Sequence, residues 1–155
     1  MDIDEHAKRV GYLHTNLTAL ESSLRYFLLK VEKQTFRVPQ DSDVDAPLNW
    51  MTKWISLGDL IKRYNGELTD SERDKFSITQ ESVNFRDAIA HGRVHSPKLE
   101  FPWTLTKFGR QKSGRVLIDL NEKMTIEWLD NAYRLVGQQK AKVDDCSKGR
   151  GFSIT

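Results

Sequence analysis

The stretch that organises this sequence is Asn84-Phe-Arg-Asp-Ala-Ile-Ala-His-Gly-Arg-Val-His95. It closes a predicted helix that opens with the capping box Thr69-Asp-Ser-Glu72 and is expected to run to about His91. Gly92 is a natural residue to follow the end of a helix. The stretch therefore places a permanent cation, Arg86, five residues before an imidazole at the C-terminal end of a helix.

Helical periodicity lies on both sides of this stretch. Apolar residues recur at helical spacings from Ile3 to about Lys33, which predicts one long amphipathic first helix. A short helix is predicted from Ser56 until Gly66 ends it, and a last helix from about Thr125. The last helix is expected to bury Ile126, Leu129, Tyr133 and Val136. The tryptophans are expected to anchor the core, namely Trp50, Trp54, Trp103 and Trp128.

Two segments between these helices have a different composition. Trp103-Thr-Leu-Thr-Lys-Phe108 and Val116-Leu-Ile-Asp-Leu120 are rich in β-branched and aromatic residues, with Gly109 and Gly114 between them. They predict a β-hairpin. The expected fold class is all-α, a helical bundle of about four main helices with a small β-hairpin inserted before the last helix. We expect one domain over residues 1–143 and a flexible C-terminal tail over 144–155.

Composition excludes several classes of protein. With 38% hydrophobic and 30% charged residues, the chain has no stretch suited to span a bilayer, so no membrane partner is expected. The acidic start, Met1-Asp-Ile-Asp-Glu5, is unlike a secretory signal. The single cysteine, Cys146, fits a reducing cytoplasm and is interpreted as an inert surface thiol. The net charge of +2 is too balanced for the whole surface to attract nucleic acid, so any such site must be local.

Arg86 and His91 together offer a specific chemistry. Arginine presents a planar fork of donors that matches phosphate oxygens, and histidine gives or takes a proton near neutral pH. These are the minimum requirements for cleaving RNA by its own 2′-hydroxyl, because one proton must move and one developing charge must be stabilised. DNA lacks that hydroxyl.

The same residues also have simpler interpretations. Arg86 could be a solvated helix residue or an ion-pair partner of Asp87 or Glu81, and His91 could be a cation favoured by the helix C-terminus. Asp87 is expected to orient Arg86 rather than to act as a base. Further supporting candidates are Asn84, Arg93 and His95. No metal and no other cofactor is expected, because Gly92 separates His91 from His95 and no third ligand is visible.

The stretch resembles the motif of the HEPN superfamily, helical domains whose ribonuclease members share Arg-x4–6-His, often with a polar residue after the arginine. Arg86, Asp87 and His91 fill these places. The segment Leu20-Glu-Ser-Ser-Leu-Arg25 is similar to the opening helix of bacterial members, and the resemblance covers roughly residues 3 to 95. The closing helix from Thr125 is also in the place that the family predicts.

This resemblance implies a metal-independent endoribonuclease that cleaves single-stranded RNA, in the setting of a bacterial toxin or phage-defence effector that another protein could regulate. It also implies a homodimer, in which Arg86 and His91 of both chains form one composite site. Five residues correspond to about 140° around a helix, so the two side chains are not expected to meet easily within one chain. The alternatives are a catalytically inactive HEPN-like binding module and a plain structural domain.

The hairpin is a second, separate candidate. Basic residues are interleaved there with aromatic ones, an arrangement that can hold a single strand through phosphate contacts and base stacking. A solvated turn explains the same charges. The residues proposed to contact RNA are Lys107, Arg110, Lys112 and Arg115, which lie near Trp103 and Phe108.

Overall fold

The computed structural model describes residues 1–96, 98 and 100–152. Within these residues the chain forms five helices and three strands. In chain order they are α1 (Ile3–Val31), α2 (Leu57–Glu67), α3 (Asp70–Phe76), α4 (Glu81–His91), β1 (Arg93–His95), β2 (Thr104–Lys112), β3 (Arg115–Lys123) and α5 (Ile126–Gly149). The strands form one antiparallel sheet in the order β1-β2-β3. The predicted all-α bundle of four helices is therefore wrong, because the described chain is a mixed structure with more helices and a sheet.

Contacts divide the chain into two compact units, each made from two stretches. The first unit contains Met1–Leu17 and Glu81–Gly137, and the second contains Thr18–Gln80 and the chain from Gln138 onward. The single domain predicted over residues 1–143 stays a prediction.

The C-terminal end differs from its prediction. Helix α5 continues through Gly149, so residues 144–149 are helical and not the start of a flexible tail. Cys146 is buried in the second unit, which corrects its interpretation as a surface thiol. Residues 153–155 of the predicted tail lie outside the described residues.

The single helix predicted from Thr69 to His91 is instead two helices, α3 and α4. Side chains of α2 bind the backbone between them. Tyr64 Oη donates a hydrogen bond to the Phe76 carbonyl over 3.0 Å, and the Asn65 side chain both donates to the Ile78 carbonyl and accepts from its N–H. Because these bonds satisfy backbone groups that a continuous helix would use, and Ile78 is buried, the chain leaves the helix here.

The second unit combines an apolar core with the ion pair between Arg150 and Glu72. Phe27 and Tyr64 meet edge to face, with ring centroids 4.8 Å apart. Arg150 donates to both carboxylate oxygens of Glu72, over 2.9 and 2.5 Å, which lowers the pKa of that carboxyl to about 2. Glu72 also accepts from the Thr69 N–H, as the predicted capping box requires.

In the first unit, α1 and α5 both contribute to the core. Leu13 and Leu17 of α1 are buried, as are Leu129 and Val136 of α5. The other two residues that α5 was predicted to bury, Ile126 and Tyr133, are exposed. The tryptophan prediction was also only partly correct, because Trp50 is buried, Trp103 and Trp128 are half-buried and Trp54 is fully exposed.

The predicted hairpin is confirmed as β2 and β3. Ser113 and Gly114 form a two-residue loop with φ of 52° and 73°, the left-handed conformation that the tightest hairpin loops require. The short strand β1, which periodicity did not predict, pairs with the start of β2 in the register Arg93 to Thr106. Three residues are too few to produce an alternating pattern.

Gly92 connects α4 to β1 through a close approach of backbone. It lacks the positive φ of a left-handed helix-ending residue, and its N–H bonds to the Ala88 carbonyl over 2.7 Å. A Cβ at this position would lie 2.2 Å from the Ala88 oxygen and 2.6 Å from Leu105 Cδ1. The glycine is therefore required because the backbone at position 92 lies against the last turn of α4, with Leu105 of β2 also close.

We expect Gly92→Ala to lower the free energy of unfolding by about 2–3 kcal/mol, since the new methyl group overlaps a backbone oxygen that cannot move away cheaply. The matched control is Gly11→Ala in α1, where a Cβ meets nothing within 4 Å. It should stabilise the protein by about 0.5–1 kcal/mol, the usual gain from replacing glycine within a helix. Chemical denaturation of both variants measures the difference, and equal stabilities would contradict the close approach.

Candidate functional site

Arg86 and His91 lie together on α4. Arg86 Nη1 is 3.4 Å from His91 Nε2. The expectation that the two side chains would not easily meet within one chain is therefore wrong. Five residues advance a helix by roughly 7.5 Å, and the long arginine side chain spans this separation despite the rotation between the two positions.

The contact constrains the proton on the imidazole. A guanidinium has five N–H donors and no acceptor, so a hydrogen bond between these groups requires His91 Nε2 to accept. The ring is then neutral and carries its proton on Nδ1. Nε2 thus faces Arg86 with the lone pair that a general base would use.

Asp87 links this pair to the sheet. Its Oδ1 accepts from Arg86 Nη1 over 3.3 Å, and its Oδ2 accepts from Lys107 Nζ over 3.4 Å. Lys107 comes from β2, on which α4 packs. We call the four residues Lys107, Asp87, Arg86 and His91 the α4–β2 cluster.

The α4–β2 cluster is open to solvent and carries excess positive charge. The Arg86 side chain is 43% exposed, His91 is exposed, and the Asp87 carboxylate lies between two cations. One carboxylate against two permanent cations leaves a net positive charge even when the imidazole is neutral. Such excess positive charge favours an anion at the guanidinium of Arg86.

The remaining predicted residues lie around this cluster. Arg93 is on β1, with its guanidinium 5.3 Å from the centre of the Phe108 ring. His95 is exposed on β1 in register with Thr104, and Asn84 is exposed on α4. Among the described residues, no hydrogen bond or ion pair joins His95 or Asn84 to the α4–β2 cluster.

The basic residues of the hairpin separate into two places. Lys107 belongs to the α4–β2 cluster through Asp87, a partnership that no sequence signal indicated because the two residues are 20 positions apart. Arg110, Lys112 and Arg115 are exposed near the turn. The described part of the chain contains no group of three or more His, Cys, Asp or Glu side chains placed to hold a metal ion.

Comparisons with known proteins give no assignment. No family model matches the chain, and no solved structure matches it. Among the described residues, no helix combines the length and the apolar character needed to cross a membrane.

The Arg86 contact generates a prediction about the His91 ring. Above pH 8, where imidazoles are neutral, His91 should carry its proton on Nδ1, because Nε2 accepts from Arg86. Long-range ¹H–¹⁵N NMR correlations distinguish the two tautomers. Arg86→Ala should abolish the preference, while Asn84→Ala, on the same helix, should leave it unchanged. A proton on Nε2 of His91 in the parent protein would contradict the contact.

Proposed function

We propose that this protein is a metal-independent endoribonuclease of HEPN type that cleaves single-stranded RNA. The observation that carries the proposal is the exposed pair formed by Arg86 and His91, with Nη1 and Nε2 3.4 Å apart. At this separation Arg86 can donate to a phosphate while Nε2 of His91 accepts from the adjacent 2′-hydroxyl. Arg86 supplies a permanent donor fork and His91 supplies a group that transfers protons near neutral pH.

In the proposed reaction, the 2′-hydroxyl oxygen attacks the adjacent phosphorus and the bond from phosphorus to the 5′-oxygen breaks. His91 takes the proton of the 2′-hydroxyl or supplies a proton to the departing 5′-oxygen. Arg86 donates to the phosphate oxygens, on which charge accumulates as the phosphorane forms. The products are a 2′,3′-cyclic phosphate and a 5′-hydroxyl.

Asp87 and Lys107 have supporting roles in this proposal. Asp87 accepts from Arg86 Nη1 and thereby restricts the orientation of the guanidinium. Lys107, on the other side of Asp87, adds positive charge where the RNA backbone would approach. Neither residue needs to transfer a proton.

The homodimer is part of the proposal and rests on the family resemblance. A composite site would bring two imidazoles to one phosphate, one to take the proton of the 2′-hydroxyl and one to protonate the 5′-oxygen. Arg86 and His91 already meet within one chain. The chemical advantage of two chains is therefore the second imidazole, which allows this division of roles.

The alternative function is a catalytically inactive HEPN-like interaction module. One observation favours it, namely the exposed aliphatic side chains of β3. Leu117 and Ile118 are 62% and 60% exposed, on a strand whose outer edge has no neighbour among the described residues. Open apolar edges are suited to pair with another chain.

The biological setting is proposed on the resemblance alone. It is a cytoplasmic toxin or phage-defence effector, with RNA as the substrate and a second protein as regulator. Cytoplasmic location is consistent with the unpaired, buried thiol of Cys146.

We expect the purified protein to cleave single-stranded RNA in excess EDTA and to leave single-stranded DNA intact. His91→Ala should reduce the cleavage rate by about 10²–10⁴-fold, the usual contribution of a general acid or base. Arg86→Lys should also fail, because an ammonium group cannot reproduce the two-pronged phosphate contact. Gel assays of end-labelled RNA measure the rates, and circular dichroism checks the fold.

The matched control for His91→Ala is His95→Ala, which removes an exposed imidazole outside the α4–β2 cluster. It should change the rate much less. Loss of cleavage on chelation, equal cutting of DNA, or equal effects of the two histidine variants would each reject the mechanism.

The composite dimer has its own test. The protein should have twice the chain mass in solution, with at least about 1,200 Å² of buried surface. When inactive Arg86→Ala and His91→Ala chains are unfolded together and refolded, mixed dimers hold one intact arginine and one intact histidine at the shared site. Part of the activity should therefore return. A monomer, or a mixture that stays inactive, would reject the composite site and leave any single-chain activity unaffected.

A further inference from the structure

Phe108 is an exposed aromatic residue next to the α4–β2 cluster. It follows Lys107 on β2, and 40% of its surface is accessible. The guanidinium of Arg93 lies 5.3 Å from its ring centre. The ring is thus held at the surface beside a cation rather than buried in the core, where phenylalanine usually lies.

The pairing of β2 with β3 is irregular around Phe108, and this affects the direction of the ring. Pairing with β3 shifts on both sides of it, since Lys107 pairs with Leu120, Phe108 with Ile118 and Gln111 with Val116. Such bulges redirect side chains relative to a regular strand.

The next residue, Gly109, leaves room for the Asp119 carboxylate. A Cβ at Gly109 would lie 2.2 Å from Asp119 Oδ1, so a larger residue would require that side chain to move.

Phe108 and its neighbours line a shallow hollow of about 460 Å³, which we call the Phe108 shelf. Its lining residues are Arg93, Phe108, Gly109, Gln111 and Val116. Each of these groups suits one part of a nucleotide. An aromatic face stacks on a base, a side-chain amide donates to and accepts from the polar edge of the base, and a guanidinium binds a phosphate.

The charge around the Phe108 shelf favours a polyanion over a protein surface. The neighbouring cations are Arg93, Arg110, Lys112 and Arg115, which outnumber the Asp119 carboxylate beside Gly109. None of the four forms an ion pair within the described part of the chain. Cations left unpaired beside an exposed ring match the pattern of single-strand binding sites, where phosphates and bases alternate.

We propose that the Phe108 shelf is a base-stacking subsite for the same single strand of RNA that Arg86 and His91 contact. The inference rests on the proposed function and adds a binding site to it. Arg93 follows His91 by two residues, at most roughly 7 Å along the chain, and Lys107 connects the strand of Phe108 to the α4–β2 cluster. Because β1 is an edge strand among the described residues, an RNA strand that passes around it would reach both sites.

Binding should be measured in the His91→Ala background, so that the RNA stays intact. Phe108→Ala should weaken binding of a fluorescently labelled single-stranded RNA by about 5- to 100-fold, the range for loss of one stacked base. Phe108→Tyr should retain parent affinity, and Phe108→Leu should lose most of it, because stacking needs a ring. Leu117→Ala, a matched exposed apolar residue on β3, should bind like the parent.

A second measurement separates stacking from a general structural effect. RNA with abasic positions offers no base to stack, so it should bind the parent and Phe108→Ala equally. If Phe108→Ala binds intact RNA like the parent, or weakens both RNAs alike, the Phe108 shelf is not a stacking subsite. A change in oligomeric mass caused by Phe108→Ala would also overturn it, because the surface would then be a protein interface.

The ribonuclease proposal and the Phe108 shelf fail in distinguishable ways. If the ring-dependent RNA binding is found but the parent protein never cleaves RNA, the Phe108 shelf stands and the ribonuclease proposal is wrong. Cleavage with Phe108-independent binding rejects the shelf alone. A parent protein that neither binds nor cleaves RNA rejects both.

Discussion

Position 92, where α4 gives way to β1, has no room for a Cβ, and the arrangement of the candidate site depends on this constraint. A methyl group there would overlap the Ala88 oxygen and Leu105. With glycine, the helix stops and the chain enters β1 at once, pairing with β2. Because β1 follows α4 directly, His91 lies beside the sheet. Arg93 then lies against β2, the strand that also carries Lys107. A longer connection would separate these groups.

The α4–β2 cluster is not explained by stability. Arg86 and Asp87 are 43% and 31% exposed at their side chains, and ion pairs with such exposure typically contribute about 0–1 kcal/mol. The large stabilising features lie elsewhere, in the apolar core of each unit and in the Glu72–Arg150 pair of the second unit. The weak contribution of this cluster to stability is consistent with the binding role that we propose for it.

Local signals in the sequence predicted the local structure. Apolar spacing identified α1, composition and two glycines identified the hairpin, and the first turn of α3 was evident from Thr69 and Glu72. The break between α3 and α4 was not predictable, because its cause is a set of hydrogen bonds from Tyr64 and Asn65, distant in sequence. The same holds for β1, which exists only because β2 is there to pair with it.

The candidate site was predictable in its residues but not in its geometry. Arg86, Asp87 and His91 were recognisable from chemistry and spacing, whereas angular reasoning alone placed Arg86 and His91 apart and neglected the length of the arginine side chain. Lys107 and Phe108 were singled out only as members of a basic hairpin. Their different roles follow from alternation along β2, which directs Lys107 towards Asp87, and from the pairing shifts that follow it. Lys107 and Phe108 are therefore adjacent in β2 but face opposite sides of the sheet. Lys107 supports the proposed chemistry, and Phe108 is available to the RNA that would be cleaved.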